Sequence, residues 1–292
     1  MTSGAERGGE WADVLVRQVA ARSILNPTTL PAGDYSANPY VGCPHKCRYC
    51  YASFMKRFAH HPEPWGDFLD VKSWEPLRRP GRYRGKTILV GTVCDPYNPW
   101  EATCRRTSAL LEQLQGSGAF LTILTKSDLI LRDRDLLEQF DGLTAVFSIN
   151  TLSEAFRRDM DRAAPIAKRI EAMRALHGRG IGTACFISPV FPGITDVCAI
   201  MEAVADACDE VWIENLNLRG SFRQDILHYI AEKHPDLVPL YRQIYVDGDR
   251  SYWADLAEVV EQEADKQGIT IRNYFYHEQI VRSKRAQEER LS

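Results

Sequence analysis

From Tyr35 to about Asn217, short apolar runs rich in Val, Ile, Phe and Thr alternate with amphipathic stretches. That alternation restricts the chain to a parallel sheet covered by helices, because each strand–helix–strand unit must close by a right-handed crossover. The spacing predicts strands over 38–42, 87–93, 120–125, 144–150, 183–190 and 210–217, and helices over 103–115, 133–140, 165–177 and 196–208. Leu110, Leu111 and Leu114 share one helical face. Pro165 stands where a helix starts and Gly178 where it stops. Six units fall short of the eight of a closed barrel, so the expected fold is α/β, a partial (βα)6 TIM barrel. A mostly helical C-terminal extension follows, with a short strand near 269–276. The expected divisions are a capping segment (1–33), the barrel (34–220) and the extension (221–292).

Lys and Arg number 36 against 39 Asp and Glu, a net charge of −3. This balance argues against a nonspecific nucleic-acid binder, which gains affinity by releasing counterions from a basic surface. One basic stretch stands out, Arg78, Arg79, Arg82, Arg84 and Lys86. It reads more simply as a solvated loop before the second strand than as a grip on phosphates. No apolar run approaches the ~18–20 residues that span a bilayer, and residues 1–10 carry no apolar signal stretch. The expectation is a cytoplasmic protein whose eight cysteines are thiols, metal ligands or catalysts rather than disulfides.

Three of those cysteines form a C-x3-C-x2-C triplet, Cys43, Cys47 and Cys50, after the first expected strand. Three thiolates within eight residues can wrap one corner of an iron–sulfur cubane, leaving one iron open. A structural zinc site and three unrelated core thiols are the other readings. Zinc ordinarily takes four protein ligands as paired C-x2-C units, and no second pair exists. His45 would have to strain to join the same ion. Cys104, Cys185, Cys198 and Cys208 show no ligand spacing and read as buried thiols.

The triplet, with Tyr49 before its third cysteine, resembles the radical S-adenosylmethionine (SAM) superfamily. The wider context is similar to its spore photoproduct lyase-like branch, often labelled DNA repair photolyase. That context comprises Asn38-Pro39-Tyr40-Val41-Gly42, Tyr51-Ala52, Asp95-Pro96-Tyr97, Thr125-Lys126, Phe147-Ser148-Ile149-Asn150 and the run from Ser188 to Asp196. The resemblance covers about residues 34–219 and implies a radical SAM-type partial barrel. It also implies an enzyme using a [4Fe–4S] cluster and S-adenosyl-L-methionine. The reduced cluster cleaves SAM to a 5′-deoxyadenosyl radical that abstracts a hydrogen atom from substrate. Cys43, Cys47 and Cys50 would hold the cluster, and Tyr49 would lie by the adenine. Lys126 would face the SAM carboxylate, and Ser148, Asn150 and Asn217 would line the cofactor site.

Cys94, at the rim beside Asp95, is a candidate hydrogen-atom donor. It is offset by two residues from the cysteine that spore photoproduct lyase uses, which aligns nearer Thr92. Asp95 reads as a rim residue that orients SAM or substrate. His60, His61 and His277 could stand near a substrate opening, although surface or core positions suit them better. The implied partners are a flavodoxin- or ferredoxin-type reductant and a substrate that is a small metabolite, nucleoside or peptide in preference to DNA. DNA lesion repair is the alternative. A non-enzymatic iron–sulfur electron-transfer protein is the rival of another class. Whether the chemistry is that of a lyase, isomerase or oxidoreductase is left open.

Overall fold

The computed structural model describes Trp11 and residues 13–276; the expectations concerning residues 1–10, His277 and the end of the extension lie outside these residues. Eleven strands form among them: β1 (Leu15–Ala20), β2 (Leu25–Pro27), β3 (Tyr35–Ala37), β4 (Tyr40–Val41), β5 (Phe68–Ser73), β6 (Thr87–Val90), β7 (Phe120–Thr125), β8 (Leu143–Ser148), β9 (Gly182–Val190), β10 (Glu210–Asn215) and β11 (Thr270–Asn273). Eight of them make one sheet in the order β11-β10-β9-β8-β7-β6-β3-β2. Every neighbouring pair is parallel except β2 with β3. The sheet is therefore an open, partial barrel in which β3 and β6 to β11 all point their C-terminal ends the same way. The central strands read as near-continuous apolar runs because both faces are covered, and Ile88, Val90, Ile123, Ala145, Phe147, Cys185 and Ile187 are all buried.

Local chemistry sets the helix ends. Helix Ile166–His177 starts after Pro165 and buries Ile166, Ile170, Met173 and Leu176 along one face. Helices Glu154–Met160 and Val197–Val204 are capped by the side chains of Ser153 and Asp196. The extension forms helices Arg223–Lys233, Val238–Tyr245 and Ser251–Gln267, then β11, which pairs with β10 near the expected position.

Three expectations are corrected. The strand placed at 38–42 is split: β3 ends at Ala37, and Tyr40–Val41 pairs instead with β5 in a second sheet of order β1-β5-β4. Pro39 has no N–H to continue a ladder. The Asn38 side chain turns to the neighbouring strand end, accepting from Val93 N at 3.0 Å and donating to Thr92 Oγ1 at 2.9 Å. The helix over 103–115 is broken at Arg105, whose φ is +49°. The buried Glu101 carboxylate caps the new start by accepting from Thr107 N at 3.0 Å and Ser108 N at 3.3 Å. It is balanced by Arg132 Nη2 at 2.6 Å. Strands β6, β8 and β10 also stop two or three residues early, so Val93, Asn150 and Asn217 lie in the loops that follow.

Among the described residues no helix is long and apolar enough to cross a membrane.

Candidate functional site

The C-terminal ends of parallel strands are where an open α/β sheet offers loops and unpaired backbone to a ligand, and here they enclose a cavity of about 580 Å³. That volume lies within the range of ligand sites. Each strand end from β6 to β11 contributes: Gly91 to Asp95, Thr125 and Lys126, Ser148, Ser188 and Pro189, Glu214 to Asn217, and Tyr274. The loop after β4 brings Cys43, His45, Cys47, Tyr49 and Cys50 to the same space.

The cysteine loop is held from several directions. Gly42, at φ +82°, lies against Phe68, where a Cβ would collide. Lys46, itself at φ +48°, ion-pairs with Asp13 at 2.6 Å and with Asp67. The His45 carbonyl accepts from Arg162 N at 2.7 Å, and Arg48 N donates to the Met160 carbonyl at 2.9 Å. The Arg48 guanidinium grips Asp225 at 2.6 and 2.8 Å. A bidentate pair of this kind fixes orientation as well as distance. On the facing wall Gly91 sits at φ +90°, and a Cβ there would fall 2.8 Å from the Leu124 carbonyl oxygen and strike Pro96.

The three thiols differ. A hydrogen bond from Cys94 lowers Cys43 to about 6, while burial pushes Cys50 up to about 11 and Cys47 well above its ordinary value. Among the described residues no three Cys, His, Asp or Glu side chains converge as a single metal ion would require. Trp65, packed on the apolar group that holds Cys43 and Cys94, has a buried Nε1 with no hydrogen-bond partner among the described residues. Three cysteine thiols on one loop at the cavity are the donor set that a cubane takes.

The remaining expected residues divide. Lys126 lines the cavity with its Nζ 5.2 Å from the centre of the Tyr49 ring. Burial works against its charge, but the Cys47 thiol and the Asp161 carboxylate prevail and raise its pKa. Among the described residues the ammonium makes no hydrogen bond or ion pair. Tyr49 is wedged edge-on against Phe191 at 5.6 Å and donates its hydroxyl to Asp161 at 3.1 Å. Ser148 lines the cavity and donates to the Ser188 carbonyl at 3.3 Å. Asn217 lines it too. Asn150 does not: it is buried behind the wall and donates to the Pro189 carbonyl at 3.5 Å.

Cys94 is buried on the cavity side of the β6 loop, its Sγ 2.8 Å from the Gly42 carbonyl oxygen. Asp95 directs its carboxylate into the protein. It accepts from Tyr97 N at 2.8 Å, Thr125 Oγ1 at 2.8 Å and Lys126 N at 2.7 Å, and stands 3.4 Å from His45 Nδ1. One carboxylate therefore joins the ends of β6 and β7 to the cysteine loop.

Asp161 was not signalled by any motif. Its carboxylate accepts from Tyr49 and from Arg169 Nη2 at 3.1 Å. The fully buried Arg169 also donates to the Ser148 carbonyl at 3.0 Å. The basic stretch from Arg78 to Lys86 precedes β6, at the opposite end of that strand from the cavity, and Lys86 pairs with Asp34. The solvated-loop reading holds for it. His61 is buried between Asp70 at 2.9 Å and Glu63 at 3.0 Å, and neither it nor His60 lines the cavity.

Comparison with known proteins agrees with this geometry. The family model of the Radical SAM superfamily matches residues 37–204. An uncharacterized protein of Methanocaldococcus jannaschii is 34% identical over 221 residues, covering 75% of this chain and 83% of its own. An uncharacterized protein of Mycobacterium tuberculosis is 29% identical over 263 residues, covering 83% and 77%. Among solved structures, spore photoproduct lyase complexed with dinucleoside spore photoproduct superposes with a TM-score of 0.54 at 14% identity, over 75% of this chain and 66% of that one, just under two thirds of its length. A variant of that enzyme with bound AdoMet and dinucleoside spore photoproduct gives 0.54 at 15% identity, over 77% and 67%. A cysteine triplet, a cavity at the strand ends and a matching profile converge: the chain belongs to the radical SAM superfamily and shares its fold with spore photoproduct lyase.

Proposed function

We propose that this protein is a radical SAM enzyme that removes a hydrogen atom from a small metabolite, nucleoside or peptide. Cys43, Cys47 and Cys50 would hold a [4Fe–4S] cluster beside SAM. The observation that carries the reading is the meeting of the three thiols with Tyr49 and Lys126 in one cavity. When bound, the cluster and SAM supply one-electron cleavage of a sulfonium carbon–sulfur bond to a 5′-deoxyadenosyl radical.

The protein's own contribution is to bind, orient and exclude water. Lys126, charged and with no hydrogen-bonded partner among the described residues, is suited to the SAM carboxylate. Asp95 positions it by fixing its backbone N–H. Tyr49 offers a ring held rigid by Asp161 and Phe191. Leu124, Phe186, Trp212 and Tyr274 also line the cavity, with Glu214 among them. Such a mainly apolar wall favours an organic molecule of modest size. A flavodoxin- or ferredoxin-type protein would supply the electron. The reading is tested by anaerobic reconstitution with iron and sulfide, then addition of SAM and dithionite. Production of 5′-deoxyadenosine supports it; a stable cluster that never cleaves SAM supports an electron-transfer protein instead.

DNA lesion repair is the second reading. Tyr51, Phe54 and Phe58 are exposed just after the third cysteine, and the Arg57 guanidinium lies 5.6 Å and 4.6 Å from the Phe54 and Phe58 rings. Aromatic faces with interleaved cations suit unstacked bases. Salt-sensitive retention on DNA would favour this reading, and absence of binding at low ionic strength would remove it.

Cys94 is well placed to return a hydrogen atom through its S–H, from inside the cavity wall. The Cys94→Ala variant is expected to keep its full iron content while product yield and solvent-derived hydrogen incorporation fall. Unchanged incorporation would end the donor role.

A further inference from the structure

The cavity wall is chemically uneven. The cysteine loop and Lys126 supply one part of it. Another part comes from β9, β10 and β11, which stand side by side at one end of the sheet. Phe186 and Trp212 are partners in register on β9 and β10. Tyr274 follows β11, and its N–H donates to the Ile213 carbonyl at 2.8 Å. The three rings stand edge-on to one another, with centroids 5.9 to 6.5 Å apart at angles of 70° to 76°. Ring faces attract cations. Trp212 already holds one: the Arg272 guanidinium lies 5.6 Å from its ring centre, and Glu210 neutralises that arginine at 2.9 Å.

Two residues beyond Trp212 comes Glu214, half-buried in the same wall. Its Oε2 accepts from Ser188 Oγ at 2.7 Å, which orients the carboxylate. Its neighbours in the chain are tied to the segment after β11, by the Tyr274 bond to Ile213 and by Tyr276 N donating to Asn215 Oδ1 at 2.9 Å. Glu214 is thereby held beside the rings. The other carboxylate of the wall, Asp95, is turned into the protein and takes three donors there. A carboxylate in a mainly apolar cavity acts more strongly on a cation than it would in water.

We infer that Glu214, with the faces of Phe186, Trp212 and Tyr274, receives a cationic nitrogen group of the substrate, a protonated amine or a guanidinium. The carboxylate supplies charge-assisted hydrogen bonds and the rings a cation–π surface. Glu214 is a specificity-determining residue and takes no part in hydrogen-atom transfer. The inference rests on the proposed function and deepens it by naming the substrate class.

The test uses the full-length chain, reconstituted anaerobically and supplied with SAM, with iron content and 5′-deoxyadenosine formation measured first. Failure at that stage overturns the function before any substrate probe is added. Calorimetric titration then compares three probes of similar shape: benzylamine, benzyl alcohol and benzoate. Benzylamine is expected to bind about tenfold tighter than the alcohol, the margin a hydrogen bond to a charged group provides. Glu214→Gln keeps the shape and an acceptor for Ser188 but removes the charge. It should weaken benzylamine about tenfold and leave the alcohol unchanged. The inference is overturned if benzylamine does not bind the wild type, binds no tighter than the alcohol, or binds the variant equally well. Tighter binding of benzoate, directed by Lys126 and Arg219 of the same wall, overturns it too. Should the variant fail to fold, the order of the three probes on the wild type decides. A blocked Gly-Lys-Gly peptide separates two sources of the cation: tighter binding than benzylamine supports a peptide side chain, and weaker binding supports a free amine.

Discussion

Replacing Cys47 with Ala is expected to leave a folded chain that holds no cluster. After anaerobic reconstitution, iron should fall from about four atoms per wild-type chain to near background, and 5′-deoxyadenosine production should fall with it. The loop itself survives because little of its architecture uses the Cys47 thiol. The Cys47 carbonyl accepts from Cys50 N at 3.1 Å, which alanine preserves. Lys46 remains paired with Asp13 and Arg48 with Asp225. Two thiols cannot replace three at one corner of a cubane, so the loss is one of ligation rather than of folding. A circular dichroism spectrum like that of the wild type together with absent iron is the expected pair of results. Iron retained at the wild-type level would show that Cys47 is not a ligand.

The largest effect on stability is expected at Asp161. It lies beneath Tyr49 and is paired with Arg169, each side chain only 1% exposed. Arg169 spends its other donors on the carbonyls of Ala164 at 2.7 Å and Ser148 at 3.0 Å. Replacing Asp161 with Ala leaves that guanidinium in the core without its counter-charge, a change that costs about 3–5 kcal/mol. It also strips the Tyr49 hydroxyl of its acceptor. Urea unfolding should show the midpoint falling at constant slope. Adding Arg169→Met to Asp161→Ala should recover most of the loss, because a well-packed apolar side chain removes the stranded charge. A single-variant cost below about 1 kcal/mol would contradict the pairing described here.

These two positions show what could be seen before the structure. The cysteine triplet is local: three ligands lie within eight residues, so their spacing alone carries the chemistry. The strand–helix alternation was equally legible, because buried parallel strands are apolar throughout and their helices keep a 3.6-residue period. Lys126 and Ser148 were reached through the family resemblance, Cys94 and Asn217 through their places at strand ends, and all four line the cavity. Asn150 lies outside the cavity wall, β8 having stopped at Ser148.

What escaped was long-range. Asp161 meets Tyr49 across 112 residues and looks like any loop carboxylate in sequence. Strands β1 and β5 pair with each other across some fifty residues, and their mixed polarity hid them because β1 is only partly covered. The break at Arg105 depends on Glu101 finding Arg132, which again is tertiary information.

The measurement that bears most directly on the central claim is EPR of the reduced, reconstituted protein before and after addition of SAM. A cluster held by three cysteines has an iron free to take a ligand, so its signal should change in shape and g-values on adding SAM, and 5′-deoxyadenosine should follow. A signal indifferent to SAM, from a protein containing a full cluster, would contradict the account.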